Sequence, residues 1–121
     1  MMYSEFNVGE KTYKLRLTTQ NVVILERGFG CSLMQLFNED EVPKVDVMAT
    51  ILHAALQTYQ HNITLKDAYN ILDTWVDEGN DLNNFNFTIF EVFQISGLIP
   101  KNMELPKPGQ PDGEEEETEK N

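Results

Sequence analysis

Apolar side chains recur with helical spacing between Val45 and Tyr59, the most apolar stretch of the chain. At about 100° per residue, six of them fall within a stripe of roughly 100°: Val45, Met48, Leu52, Ala55, Leu56 and Tyr59. Three more apolar residues widen this face to about half of the helix circumference: Val47, Ile51 and Ala54. A helix this apolar contacts neighbours on more than one side. The pattern therefore predicts a central core helix at about residues 44–60.

Residues 3–17 alternate between apolar and polar positions on both sides of a Gly-Glu pair at positions 9 and 10. This period of two around a glycine is typical of a β-hairpin. The residues predicted to share the apolar face are Phe6, Val8, Tyr13, Leu15 and Leu17. A two-stranded hairpin is barely stable by itself. We therefore expect its apolar face to lie on helices or to be covered by a partner.

Two apolar segments between the hairpin and the central stretch predict further helices. The first spans residues 20–28 and follows a hydroxyl side chain, Thr18 or Thr19, that can cap it. A Gly-Phe-Gly sequence ends this helix, because glycine accepts the left-handed conformation found at helix ends. Ser32 is a suitable N-cap for a second, short helix.

Thr64 opens the most regular amphipathic helix, predicted over residues 65–78. Asp67 follows three residues later, which is an acidic variant of the capping box. The predicted apolar stripe of this helix comprises Leu65, Ala68, Tyr69, Leu72, Trp75 and Val76.

The last predicted helix runs to about Ser96 and carries more apolar surface than one packing contact needs. One face comprises Leu82, Phe85, Ile89, Val92 and Phe93. Phe87, Phe90 and Ile95 fall outside that face. Two explanations fit these three residues: another helix covers them, or they form a binding surface, since exposed apolar residues often mark interaction sites. On the second explanation they are the candidate partner-binding residues.

From residue 100 onwards prolines and glutamates dominate, and the stretch has no aromatic side chain. This composition predicts a disordered acidic tail over residues 100–121 after a single globular domain over residues 1–99. The predicted fold class is α+β and mainly α. It comprises an N-terminal β-hairpin followed by four to five helices packed around the central helix.

The formal net charge is −11 over 121 residues. Such a charge argues against nucleic acid or an anionic membrane as a partner, since both need a basic face.

The two histidines, His53 and His61, do not have the spacing of a metal pair on a helix, and the single cysteine, Cys31, lacks a basic setting. We therefore expect no catalytic residue, metal or cofactor, and a protein that is not an enzyme.

The order of these features resembles a known family over roughly residues 5–98. The segments that carry the resemblance are Leu15-Arg16-Leu17-Thr18, Leu25-Glu26, Ser32-Leu33, the helix opened by Thr64 and ended by Trp75-Val76-Asp77-Glu78-Gly79, and the closing Ser96-Gly97. The chain is similar to the small tail assembly chaperones of long-tailed phages and prophages of low-GC Gram-positive bacteria.

The resemblance implies a non-enzymatic protein that binds the tape measure protein, keeps it soluble and promotes assembly of the tail tube. It places the protein in the cytoplasm of the bacterial host and not in the mature virion. The tail tube protein and a second copy of the chain are further candidate partners. Phe87, Phe90 and Ile95, with the open edge of the hairpin, are the hypothetical client or self-association surface. The alternative is a small acidic prophage adaptor that inhibits a host protein.

Overall fold

A computed structural model of the chain describes residues 2–37 and 43–106. Within them lie two strands, four α-helices and two short 3₁₀ helices. The strands are β1, Ser4–Val8, and β2, Lys11–Leu15. The helices are α1, Thr19–Phe29; α2, Val45–Gln57; α3, Leu65–Asp77; and α4, Phe85–Ile95. The 3₁₀ helices are Leu33–Phe37 and Leu82–Asn84. The predicted α+β, mainly helical fold with an N-terminal hairpin is confirmed, and the short second helix is a 3₁₀ helix.

The two strands pair antiparallel with Phe6 opposite Tyr13 and Val8 opposite Lys11. Gly9 occupies the first position of the two-residue turn with a φ of 62°, a conformation that glycine adopts without steric cost. Phe6 and Val8 are buried on the face that packs on the helices. The hairpin predicted from the alternation is therefore confirmed, together with its buried face.

Helix α2 lies at the centre of the fold, in contact with α1, α3, α4 and β2. Its buried residues are Met48, Ala49, Ile51, Leu52, Ala55 and Leu56. The placement of Val45 in the core stripe is wrong, since its side chain is 49% exposed. Val45 is the first residue of α2, where the helix emerges at the margin of the core. Tyr59 lies beyond the end of α2, with its ring 5.4 Å from that of Tyr3.

Helix α3 begins with the predicted capping box. The Thr64 hydroxyl accepts a hydrogen bond from the Asp67 N–H, and the Asp67 carboxylate accepts one from the Thr64 N–H. Hydrogen bonds from Thr64 hold the pKa of Asp67 below its usual value. The predicted apolar stripe is partly wrong. Tyr69 and Val76 are exposed, whereas Ile71 is buried with Ala68 and Leu72. The buried face of α3 therefore lies further towards Ile71 on the helix circumference than the predicted stripe does.

Helix α4 buries four of the five residues predicted to share a face: Phe85, Ile89, Val92 and Phe93. The fifth, Leu82, is half-buried in the preceding 3₁₀ helix. The chain turns at Gly97 and continues along α4 beyond the predicted domain end at residue 99. The Gln94 side-chain amide donates hydrogen bonds to the Pro100 and Met103 carbonyls. Leu105 is half-buried against the core. Residues 100–106 of the predicted acidic tail therefore contact the domain, and residues 107–121 lie outside the described residues.

Candidate protein-interaction surface

The outer edge of β2 is closed by the C-terminal end of α2 and the residues after it. The Lys14 N–H donates to Gln60 Oε1 at 2.9 Å, and Gln60 Nε2 donates to the Lys14 carbonyl at 2.9 Å. The side-chain amide thus occupies the place of a neighbouring strand. The Arg16 N–H donates to the Ala55 carbonyl, and the Thr58 hydroxyl donates to the Arg16 carbonyl. No further strand can pair with this part of β2.

The outer edge of β1 is open in the part of the chain that the structure describes. In an antiparallel hairpin the residue pairs alternate between hydrogen-bonded and non-hydrogen-bonded ones, so Glu5 and Asn7 direct their backbone groups away from β2. In residues 2–37 and 43–106, no hydrogen bond joins these backbone groups to another part of the chain. Both side chains are exposed. Of the features that often protect an edge, β1 has one charged residue, Glu5, and neither lysine nor proline. Among the described residues, the outward backbone groups of Glu5 and Asn7 therefore remain available for pairing.

A shallow depression of about 310 Å³ lies between β1 and α4. We call it, together with the open edge of β1, the β1–α4 surface. The depression is lined by Tyr3, Ser4, Glu5, Glu91, Gln94 and Ile95. The Ser4 hydroxyl lies 3.4 Å from Glu91 Oε1 and donates a hydrogen bond to it. The surface therefore combines unpaired backbone groups, one isoleucine and two carboxylates.

The structure places the three candidate residues on two sides of α4. All three side chains are half-buried. Ile95 lines the depression, and Phe87 lies one helical turn before Glu91, on the same face of the helix. The ring of Phe90 instead packs edge-on against Phe37, with 5.8 Å between ring centroids. Phe87 and Ile95 thus belong beside the β1–α4 surface, whereas Phe90 lies at the margin of the core.

Tyr3, Glu5 and Glu91 also belong to this surface, although no sequence pattern marks them. They come together only because the hairpin packs across α4, which no local pattern reveals. Helix α1 carries exposed apolar side chains as well, since Val23 and Ile24 are 41% and 59% exposed. The sequence carried a signal for that exposure, since four successive apolar residues from position 22 to 25 cannot all face one side of a helix.

A larger open groove of about 650 Å³ separates the hairpin tip from α3. Its apolar lining residues are Val8, Tyr13, Ile63 and Ile71. At the end of the groove the Gly9 N–H donates to Glu78 Oε2 at 2.6 Å, which holds the hairpin tip against α3. The Asp67 carboxylate in the lining is already engaged in capping α3. The lining thus combines these apolar residues with polar ones, among them Glu10, Lys11 and Asn70.

His53 and Cys31 are half-buried, and His61 is exposed. His53 Nε2 lies 3.0 Å from the carbonyl oxygen of Ile63, which precedes α3. Cys31 is a free, half-buried thiol. Among the described residues, no group of three or more His, Cys, Asp or Glu side chains is arranged to hold a metal ion.

None of the helices in the described part of the chain is long and apolar enough to cross a membrane. Comparison of the chain with models of known protein families, with curated proteins and with solved structures gives no match.

Proposed function

We propose that this protein is a phage tail assembly chaperone that binds the tape measure protein, keeps it soluble and promotes tail tube assembly. The proposal starts from the order of sequence features that resembles this family. The cytoplasm of the bacterial host is the proposed location, and the mature virion is proposed to lack the protein. The tail tube protein and a second copy of the chain are proposed as further partners.

The observation that carries the proposal is apolar surface on a strongly acidic chain. The structure leaves Phe87 and Ile95 half-buried on α4, and Ile95 lines the depression beside β1. The net charge of −11 keeps such a protein soluble, because like charges oppose association. A chaperone for a long apolar helical client needs this combination, since apolar residues bind the client and charge keeps the complex in solution.

Replacing Phe87 by aspartate tests the proposed client surface. We expect Phe87→Asp to reduce co-purification of the tape measure protein at least tenfold, because a carboxylate cannot be buried unpaired against an apolar helix. The measurement is co-purification from cells that express both chains. Far-ultraviolet circular dichroism checks that the variant keeps its helices.

Tyr69→Asp is the matched control, since Tyr69 is an aromatic residue that is 47% exposed on α3. We expect this variant to retain the client. If both variants retained the tape measure protein equally, α4 would not be the client surface. If both lost it equally, the cause would be a general effect of added charge. Phe90→Asp is a weaker test, because the contact of Phe90 with Phe37 makes loss of stability the expected result.

The acidic charge favours a second candidate function, that of a small prophage adaptor that inhibits a host protein through its acidic residues. Removal of residues 107–121 separates the two candidates and leaves intact the contacts of residues 100–106 with α4. The chaperone keeps its client after this truncation. An adaptor that binds through the glutamate-rich tail loses its partner.

A further inference from the structure

We propose that the outer edge of β1 is a docking site for an extended protein segment with alternating apolar and basic side chains. The segment adds as a third strand to the hairpin. This inference goes beyond the proposed function, because it follows from the hairpin and α4 and holds for a partner other than the tape measure protein.

The backbone supplies the first part of the argument. Glu5 and Asn7 each direct one N–H and one C=O away from β2, which is the arrangement that an incoming strand pairs with. The equivalent groups of β2 at Lys14 and Arg16 are already bound by residues 55–60. The fold therefore closes one edge of the hairpin along most of its length and leaves the other open.

The side chains around β1 define the chemistry of the partner. Successive side chains of an added strand point alternately towards the helices and towards solvent. Those that point inwards meet the 310 Å³ depression, where Ile95 supplies an apolar contact. Those that point outwards lie beside Glu5. Glu91 lines the depression from α4, where it accepts the hydrogen bond of the Ser4 hydroxyl, and adds a second carboxylate to the surface. Apolar residues inwards and lysine or arginine outwards are therefore the complementary pattern.

A second copy of the chain fits this edge less well. Two copies would bring together two acidic surfaces, each with Glu5 and Glu91 and each on a chain of net charge −11. The strand β1 has five residues, and pairing over that length buries much less than the roughly 1,200 Å² or more of stable interfaces. A short peptide segment gains from the same hydrogen bonds without the charge repulsion.

Titration of the full chain with a blocked peptide of alternating valine and lysine tests the proposal. Isothermal calorimetry is expected to show saturable binding that weakens as salt is added, because the lysines face carboxylates. Backbone amide exchange at Glu5 and Asn7 is expected to slow when the peptide is present. A peptide of alternating valine and glutamate is the control and is expected not to bind.

A proline at either edge of the hairpin distinguishes the open edge from the rest of the protein. Asn7→Pro removes one outward N–H from β1, and Thr12→Pro removes the equivalent group from β2. The two variants are matched, because each also loses the hydrogen bond from the Thr12 hydroxyl to Asn7 Oδ1. We expect Asn7→Pro to weaken peptide binding at least tenfold and Thr12→Pro to leave it within about twofold, in accordance with the roles of the two edges.

Four results would overturn the proposal. They are equal binding of the two peptides, undiminished binding by a folded Asn7→Pro variant, equal losses in both proline variants, and no slowing of exchange at Glu5 and Asn7 in the unaltered protein. The exchange experiment needs no variant, so it decides the question even if Asn7→Pro fails to fold. Sedimentation equilibrium adds a fifth, since a dimer that Asn7→Pro dissociates would make a second copy the occupant.

Discussion

Replacing Leu52 by alanine is expected to lower the free energy of unfolding by about 2–5 kcal/mol, as truncations of buried leucine do. Leu52 is 1% exposed at the middle of α2, the helix that contacts α1, α3, α4 and β2. The loss combines the transfer free energy of the missing methyl groups with the cavity that remains, because neighbours on several sides cannot all move inwards. Urea denaturation followed by circular dichroism measures the change.

Val45→Ala is the control on the same helix. Its side chain is 49% exposed, so we expect a change within about 0.5 kcal/mol, as for surface substitutions. A loss below about 1 kcal/mol for Leu52→Ala in a folded monomer would contradict the central position of α2, since truncations in a packed core cost more.

Replacing Phe85 by alanine is expected to have an effect of similar or larger size, about 3–5 kcal/mol. Phe85 is 1% exposed, and its ring packs edge-on against Phe6 at 5.3 Å and against Trp75 at 5.7 Å between centroids. This cluster of three aromatic residues joins β1, α3 and α4. Its loss should loosen the hairpin in particular, because two strands need the helices beneath them to remain folded.

Hydrogen exchange combined with urea denaturation tests that expectation. In the Phe85→Ala variant the amides of β1 and β2 should exchange faster relative to those of α2. Tyr69→Ala is the aromatic control, with an expected change within about 0.5 kcal/mol because the ring is largely in solvent. If amide exchange accelerated equally throughout the domain, the hairpin would depend on this aromatic cluster no more than the rest of the fold does.

The elements that follow from local chemistry could be predicted from the sequence. The hairpin needs only the alternation around Gly9 and a turn that glycine permits. The beginning of α3 needs only Thr64 and Asp67, whose reciprocal hydrogen bonds lie within one helical turn. The buried face of α4 also followed, because its phenylalanine, isoleucine and valine side chains repeat at helical spacing.

The sequence predicted the buried residues of α1 and α3 less well than those of α4. Helix α3 offers apolar residues over a wide arc, and the position of α2 and the hairpin decides that Ile71 is buried and Tyr69 is not. In α1 only Leu25 is buried, although Val23 and Ile24 are equally apolar. Tertiary packing selects among such faces, and the helical period alone gives no preference.

The candidate site depended on contacts between distant parts of the chain. The sequence allowed Phe90 to be either covered or exposed, and in the fold Phe37 packs against its ring from a segment more than fifty residues earlier. The difference between the two hairpin edges depends on Gln60, which reaches Lys14 across 46 positions. An open edge is typical of any isolated hairpin, but only the assembled fold shows which of the two edges remains open.

The central proposal is that this acidic domain binds the tape measure protein and keeps it soluble. The most direct measurement is the soluble fraction of the tape measure protein, produced in cells with this chain and in cells without it. The account predicts that the protein is largely insoluble alone, largely soluble with this chain, and recovered with it in one complex. An equally insoluble tape measure protein in both cases, or a soluble one with no complex, would contradict the proposal.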